Sequence, residues 1–124
     1  MEEKELNFLN SHIGNIYAKI DQFLFDAQKR YENAIKQYGI FRNKWVDKQV
    51  EYEKAFADEV QRLKNNDQPV TITKELAKQN LTELKKEMLE LETKYKYFKA
   101  LRDGMQERIQ TIKFLGRIKH NMTN

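Results

Sequence analysis

The sequence predicts an all-α protein, an elongated helical hairpin whose apolar rows associate in a coiled-coil manner. Three observations carry that expectation. The 124 residues include only one proline and four glycines, which leaves long stretches free of helix breakers. From Ala77 the positions 77, 81, 84, 88, 91, 95, 98, 102, 105, 109 and 112 read Ala, Leu, Leu, Met, Leu, Tyr, Phe, Arg, Met, Ile and Ile. Ten of these eleven are apolar, at the alternating four–three spacing that keeps one face of a helix against a partner. An earlier row, Leu24, Ala27, Tyr31, Ala34, Tyr38, Phe41, Trp45, Lys48, Tyr52 and Ala55, is apolar at nine of ten positions.

The chain divides by these patterns into an arm over residues 2–64, a connector over 65–73, a C-terminal helix over 74–119 and a tail over 120–124, all in one helical domain. The arm opens with Leu6, Leu9, Ile13, Ile16 and Ile20 at the same alternating spacing. The step from Ile20 to Leu24 is a second consecutive four, a stutter that relaxes a left-handed supercoil. Gly14 is a place where the arm can break, with Asn10 or Ser11 capping the helix beyond it. Gly39 reads as a close-packing point or a kink. In the connector, Asn65, Asn66 and Asp67 form turns, and Pro69 disfavours helical geometry at Gln68. The β-branched run Val70-Thr-Ile-Thr reads as extended, with Thr71 or Thr73 capping the second helix and Glu75 in its first turn. Faces this wide are incompletely covered by one hairpin, so self-association into a homo-oligomer is expected. Tyr95, Phe98, Met105, Ile109, Ile112 and Leu115 are its expected interface residues.

Composition narrows the function. There are no cysteines, hence no disulfide framework and no thiolate metal site. The segment Met1-Glu-Glu-Lys-Glu is acidic, unlike a secretory leader, and no apolar run approaches the ~20 residues of a membrane span. No membrane partner and a cytoplasmic location are expected. His12 and His120 are the only histidines, and neither has an i, i+4 partner suited to a metal. His12 reads as a helix-start residue. No phosphate-cradling glycine loop occurs, and the carboxylates alternate with lysines, as in Glu83 to Glu87. No enzymatic activity, metal or cofactor is expected.

Charge is segregated. Residues 94–124 carry eight Lys/Arg against two Asp/Glu, a net of +6, whereas residues 1–67 and 74–93 each carry −1, which together give the overall +4. Along a helix, Lys99 and Arg117 share an azimuth, with Lys113 about 40° and Lys96 about 60° away. That stripe, with Tyr97 and Phe98 interleaved, has the ingredients of a sequence-tolerant single-strand binder. Arg62 and Lys64 form a second cluster beside the turn, where backbone amides also reach phosphates. The alternatives are a solvated Lys/Glu face and, for Tyr31, Trp45, Tyr95 and Phe98, plain core aromatics.

Two segments extend this reading. Lys44-Trp-Val-Asp-Lys48 follows an aromatic-rich helix, and Tyr97-Phe98 precedes Arg108 and Ile112-Lys113. In these segments, and in the order arm, basic polar loop, long C-terminal helix, the chain over about residues 24–118 resembles the UvsY family of phage recombination mediators. The middle loop is shorter than the family's, and the C-terminal helix is shorter by about a heptad. The resemblance implies a ring-like helical oligomer that binds single-stranded DNA. It would help load a RecA-like recombinase onto DNA covered by single-strand-binding protein. It would place strand contacts at Arg62 and Lys64, and assembly contacts at Ile109, Ile112 and Leu115. The competing expectation is a coiled-coil adaptor whose basic end only keeps a helix bundle soluble.

Overall fold

The computed structural model describes the backbone of residues 19–123 and the side chains of residues 19–121. The row Leu6–Ile16, the break at Gly14 and the reading of His12 lie outside the described residues. Within them the chain is all-α and has no strand. Helix α1 spans Ile20–Asn65, α2 spans Val70–Asn80 and α3 spans Thr82–Thr123. No helix among the described residues is long and apolar enough to cross a membrane.

The rows read from the sequence are the rows that turn inward. Every position of the α1 row from Leu24 to Ala55, and every position of the row from Ala77 to Ile112, is buried or half-buried. The two charged members are accommodated by ion pairs. Lys48, a quarter exposed, places Nζ 3.1 Å from both Glu51 and Glu87. Hydrogen bonds to Glu51 and then Glu87 raise its pKa. Arg102 pairs with Asp103 at 3.2 Å.

The chain forms two compact units, Lys36–Lys99 and a second made of Met1–Ile35 with Ala100–Asn124. The first is a helical hairpin built from the later part of α1, the turn, α2 and the start of α3. Its helices run antiparallel: Phe41 stacks on Phe98, Lys48 meets Glu87, and Glu59 meets Asn80. An aromatic layer holds one end. Phe41 and Phe98 are parallel with centroids 5.6 Å apart, Tyr38 meets Tyr95 edge-on at 6.1 Å, and Trp45 lies 5.1 Å from Tyr95. At the other end Leu63, Thr73 and Ala77 are buried.

In the second unit the beginning of α1 packs against the end of α3. Ile20, Ala27, Ile109 and Ile112 form its buried cluster, with Leu24 and Tyr31 packed against it. Gly116 faces the Ile20 side chain, where an added Cβ would sit 3.8 Å from Cγ2. Helix α3 continues through residues 120–123, which the sequence assigned to a frayed tail.

The connector differs from expectation in two ways. Helix α1 stops through paired bonds, Gln68 N–H to Leu63 O at 3.1 Å and Asp67 N–H to Lys64 O at 3.2 Å. Asp67 holds the left-handed φ of 61° that such a stop requires. Residues 70–73 are helical where an extended run was expected. Pro69, at φ −56° and ψ 133°, supplies the N-cap geometry, and no side chain caps α2. Ile72 N–H reaches Pro69 O at 3.1 Å to close the first turn. Thr73 does not cap; its hydroxyl donates back to Val70 O at 3.0 Å, inside the helix. The β-branched residues therefore fill a helical turn, their propensity overridden by packing at the buried Thr73.

A second interruption has no proline or glycine. Leu81 leaves helical geometry at φ −108° and ψ 20°. Its N–H is shared between Ala77 O at 3.1 Å and Lys78 O at 3.3 Å. The Thr82 hydroxyl donates to Gln79 O at 2.7 Å, satisfying a carbonyl at the break.

Candidate nucleic-acid interface

The six cations singled out from the sequence fall into different chemical situations. In the hairpin unit, Arg62 is held by Glu59. Its Nε donates to the two carboxylate oxygens at 3.1 and 3.2 Å, and its terminal nitrogen also reaches Glu59. The same carboxylate accepts the Asn80 side-chain amide at 3.0 Å. The hydrogen bonds from Arg62, then Asn80, lower the Glu59 pKa, and the bond to Glu59 raises that of Arg62. Lys96 is likewise engaged, with Nζ 2.7 Å from Glu92 and its pKa raised by that bond. Lys64 and Lys99 are exposed and make no ion pair among the described residues.

In the other unit, Lys113 and Arg117 are exposed and line one groove of about 500 Å³ together with Asp21, Ile112 and His120. Neither makes an ion pair with a described carboxylate, so both charges are available to a polyanion. Helical spacing is responsible: residues 113 and 117 lie one turn apart on α3, and Ile112 anchors that turn in the buried cluster. The predicted stripe is thus divided, Lys96 and Lys99 belonging to the hairpin unit and Lys113 and Arg117 to the other.

The aromatic residues part in a similar way. Tyr38, Phe41, Trp45, Tyr95 and Phe98 pack on one another, and Phe41 is further flanked by Lys44 and Lys94, each 5.4 Å from its ring. All five are half-buried and packed between the helices of the hairpin unit. Tyr97 is 62% exposed and meets Phe98 edge-on at 5.1 Å. On a helix its azimuth is about 160° from that of Lys99, so ring and stripe occupy different faces.

The interface residues chosen from the sequence are largely engaged within the chain. Tyr95 and Phe98 belong to the aromatic layer, Met105 is half-buried, and Ile109 and Ile112 are core of their unit. Leu115 is 41% exposed and follows Phe114, 57% exposed.

Sequence reasoning passed over two features. Glu59–Arg62 and Glu92–Lys96 stand at i, i+3 and i, i+4 spacing, a signal that these cations are neutralised locally. It also read Lys85 and Lys86 only as solvated partners of Glu83 and Glu87, whereas with Lys78 they line a groove that includes Tyr52 and Leu89. Comparison of the chain with protein-family models, with curated proteins and with solved structures finds no match.

Proposed function

We propose that this protein binds single-stranded DNA without sequence preference. The observation that carries the proposal is the availability of Lys64, Lys99, Lys113 and Arg117, exposed and without an ion pair among the described residues, in a chain whose last 31 residues hold a net +6. Exposed ammonium and guanidinium groups that retain their charge release counterions when phosphates replace water around them. Arg62 and Lys96 contribute less, because Glu59 and Glu92 already neutralise them.

The resemblance of the Lys44–Lys48 and Tyr97–Lys113 segments to the UvsY family extends the proposal to a recombination mediator. In that role the chain would be a homo-oligomer with coiled-coil contacts in the cytoplasm, acting with single-strand-binding protein and a RecA-like recombinase. A second reading, a coiled-coil adaptor with no nucleic-acid role, is favoured by one observation: beside Lys96 and Lys99, Tyr95 and Phe98 pack in the aromatic layer and Tyr97 lies on another face, which leaves Phe114 beside Lys113 as the exposed ring next to the stripe.

Binding of labelled oligo-dT across a salt series tests the proposal. The logarithm of the association constant falls linearly with the logarithm of salt concentration, at a slope near −0.7 per phosphate contacted. Absence of binding at low salt removes the DNA reading and the mediator reading with it.

A further inference from the structure

In the hairpin unit, α2 and α3 present a face to one side of Tyr52 that the DNA-binding proposal does not use. Lys78, Thr82, Lys85, Lys86, Leu89 and Thr93 recur at helical spacing along it and border an open groove of about 800 Å³. From Thr82 to Thr93 the face extends about 16 Å, roughly three helical turns. Leu89 is 48% exposed at its middle.

The chemistry of the groove is specific. Its cations are Lys78, Lys85 and Lys86, against one bordering carboxylate, Glu90. Lys78 reaches back to Glu75 at 3.4 Å, and Lys85 sits 5.0 Å from the Tyr52 ring centre. Lys86 makes no ion pair among the described residues. Both threonine hydroxyls are engaged within their own helix or at its start, Thr82 with Gln79 O at 2.7 Å and Thr93 with Leu89 O at 3.0 Å. The remaining donors are therefore ammonium groups, set around aliphatic stems, Leu89 and one ring.

That combination suits some partners and not others. Stacked nucleobases need open ring faces, but Lys85 covers one face of Tyr52, and Phe56 is stacked 6.2 Å away. An apolar strip with a cationic border is complementary to a helix carrying leucine-like side chains on one face and carboxylates beside them. We propose that this groove docks an acidic amphipathic helix of a partner protein, with the exposed Leu89 and the aliphatic stems of the lysines taking its apolar side chains and the Lys85 and Lys86 ammonium groups its carboxylates. The proposal stands independently of DNA binding.

The probe is a labelled helical peptide of about fifteen residues with leucines on one face and glutamates elsewhere, compared with its lysine-for-glutamate counterpart. Fluorescence anisotropy on the full chain should show the acidic peptide binding, more weakly as salt rises, and the basic one not binding. The exposed double variant Lys85→Glu, Lys86→Glu should lose about tenfold or more in affinity. Leu89→Asp should lose a similar factor, and far-ultraviolet circular dichroism should be unchanged in both. Equal binding of the two peptides, no binding of the acidic one, or variants that bind like wild type would each overturn the proposal. So would displacement of the acidic peptide by oligo-dT whose own binding fails in the lysine variant, since the groove would then be a DNA path. A changed sedimentation coefficient in the lysine variant would assign the groove to a second copy of the chain, and would overturn it equally.

Discussion

Asn80 donates its side-chain amide to Glu59 across 3.0 Å, joining the last residue of α2 to α1 through the carboxylate that also holds Arg62. One side chain thus serves two purposes, fastening the hairpin near its turn and silencing a cation beside it.

Glu59→Gln separates those purposes. The amide oxygen still accepts from Asn80, while Arg62 loses its counter-charge. Oligo-dT binding should tighten, and its salt slope should steepen toward one more phosphate contact; an unchanged slope would place Arg62 away from the strand. Acid stability provides a second readout. The folded-state pKa of Glu59 is lowered, first by Arg62 and then by Asn80. Its contribution is therefore complete above the ordinary glutamate range and fades as pH falls through the lowered value. The variant's stability should be flatter with pH across that window.

The left-handed Asp67 offers a stabilising change. Asp67→Gly relieves the steric cost of φ 61° and removes a negative charge from the C-terminal end of α1. Stability should rise by about 1 kcal/mol, measured by thermal or urea denaturation. Asp67→Val should lower it.

Gly39 and Gly104 are interior helical residues with nothing within 4 Å of an added Cβ. Neither is a close-packing point. Replacing either with alanine should raise stability by about 1 kcal/mol, because helix propensity improves and no contact is strained. A loss of stability on denaturation would show that the helix needs glycine there for another reason.

Ile112 and Leu115 separate core from assembly. Ile112→Ala removes methyl groups from a buried cluster and should cost about 2–5 kcal/mol. Leu115→Asp alters an exposed side chain and should leave unfolding nearly unchanged. If Phe114 and Leu115 hold copies of the chain together, sedimentation of the Leu115 variant shifts toward monomer. An unchanged distribution would remove Leu115 from the interface.

Periodicity made much of this fold readable. The inward faces of α1 and α3 follow the apolar rows, and the rows' two exceptions, Lys48 and Arg102, found carboxylates. What escaped was decided by single backbone groups. The break at Leu81 depends on a shared N–H and the Thr82 hydroxyl, which leave no trace in hydrophobic spacing. The start of α2 at Val70 depends on Pro69 acting as an N-cap, where the β-branched run Val70-Thr-Ile-Thr had suggested extended chain. For the candidate site, charge content was legible, and charge availability showed only in the spacing of two carboxylates from their cations. Glu59 and Glu92 decide which cations remain open, and Tyr97 turns away from the cations near it in sequence.

The aromatic layer also carries its own optical reporter. Trp45 is the sole tryptophan, and its buried indole N–H has no hydrogen-bond partner among the described residues. An indole shielded from water emits at short wavelength, and one that meets water emits further to the red. Intrinsic fluorescence therefore reads the contact of Trp45 with Tyr95 directly. Opening of the hairpin, whether by denaturant or by a ligand that parts the two helices, should register as a red shift without any label being attached.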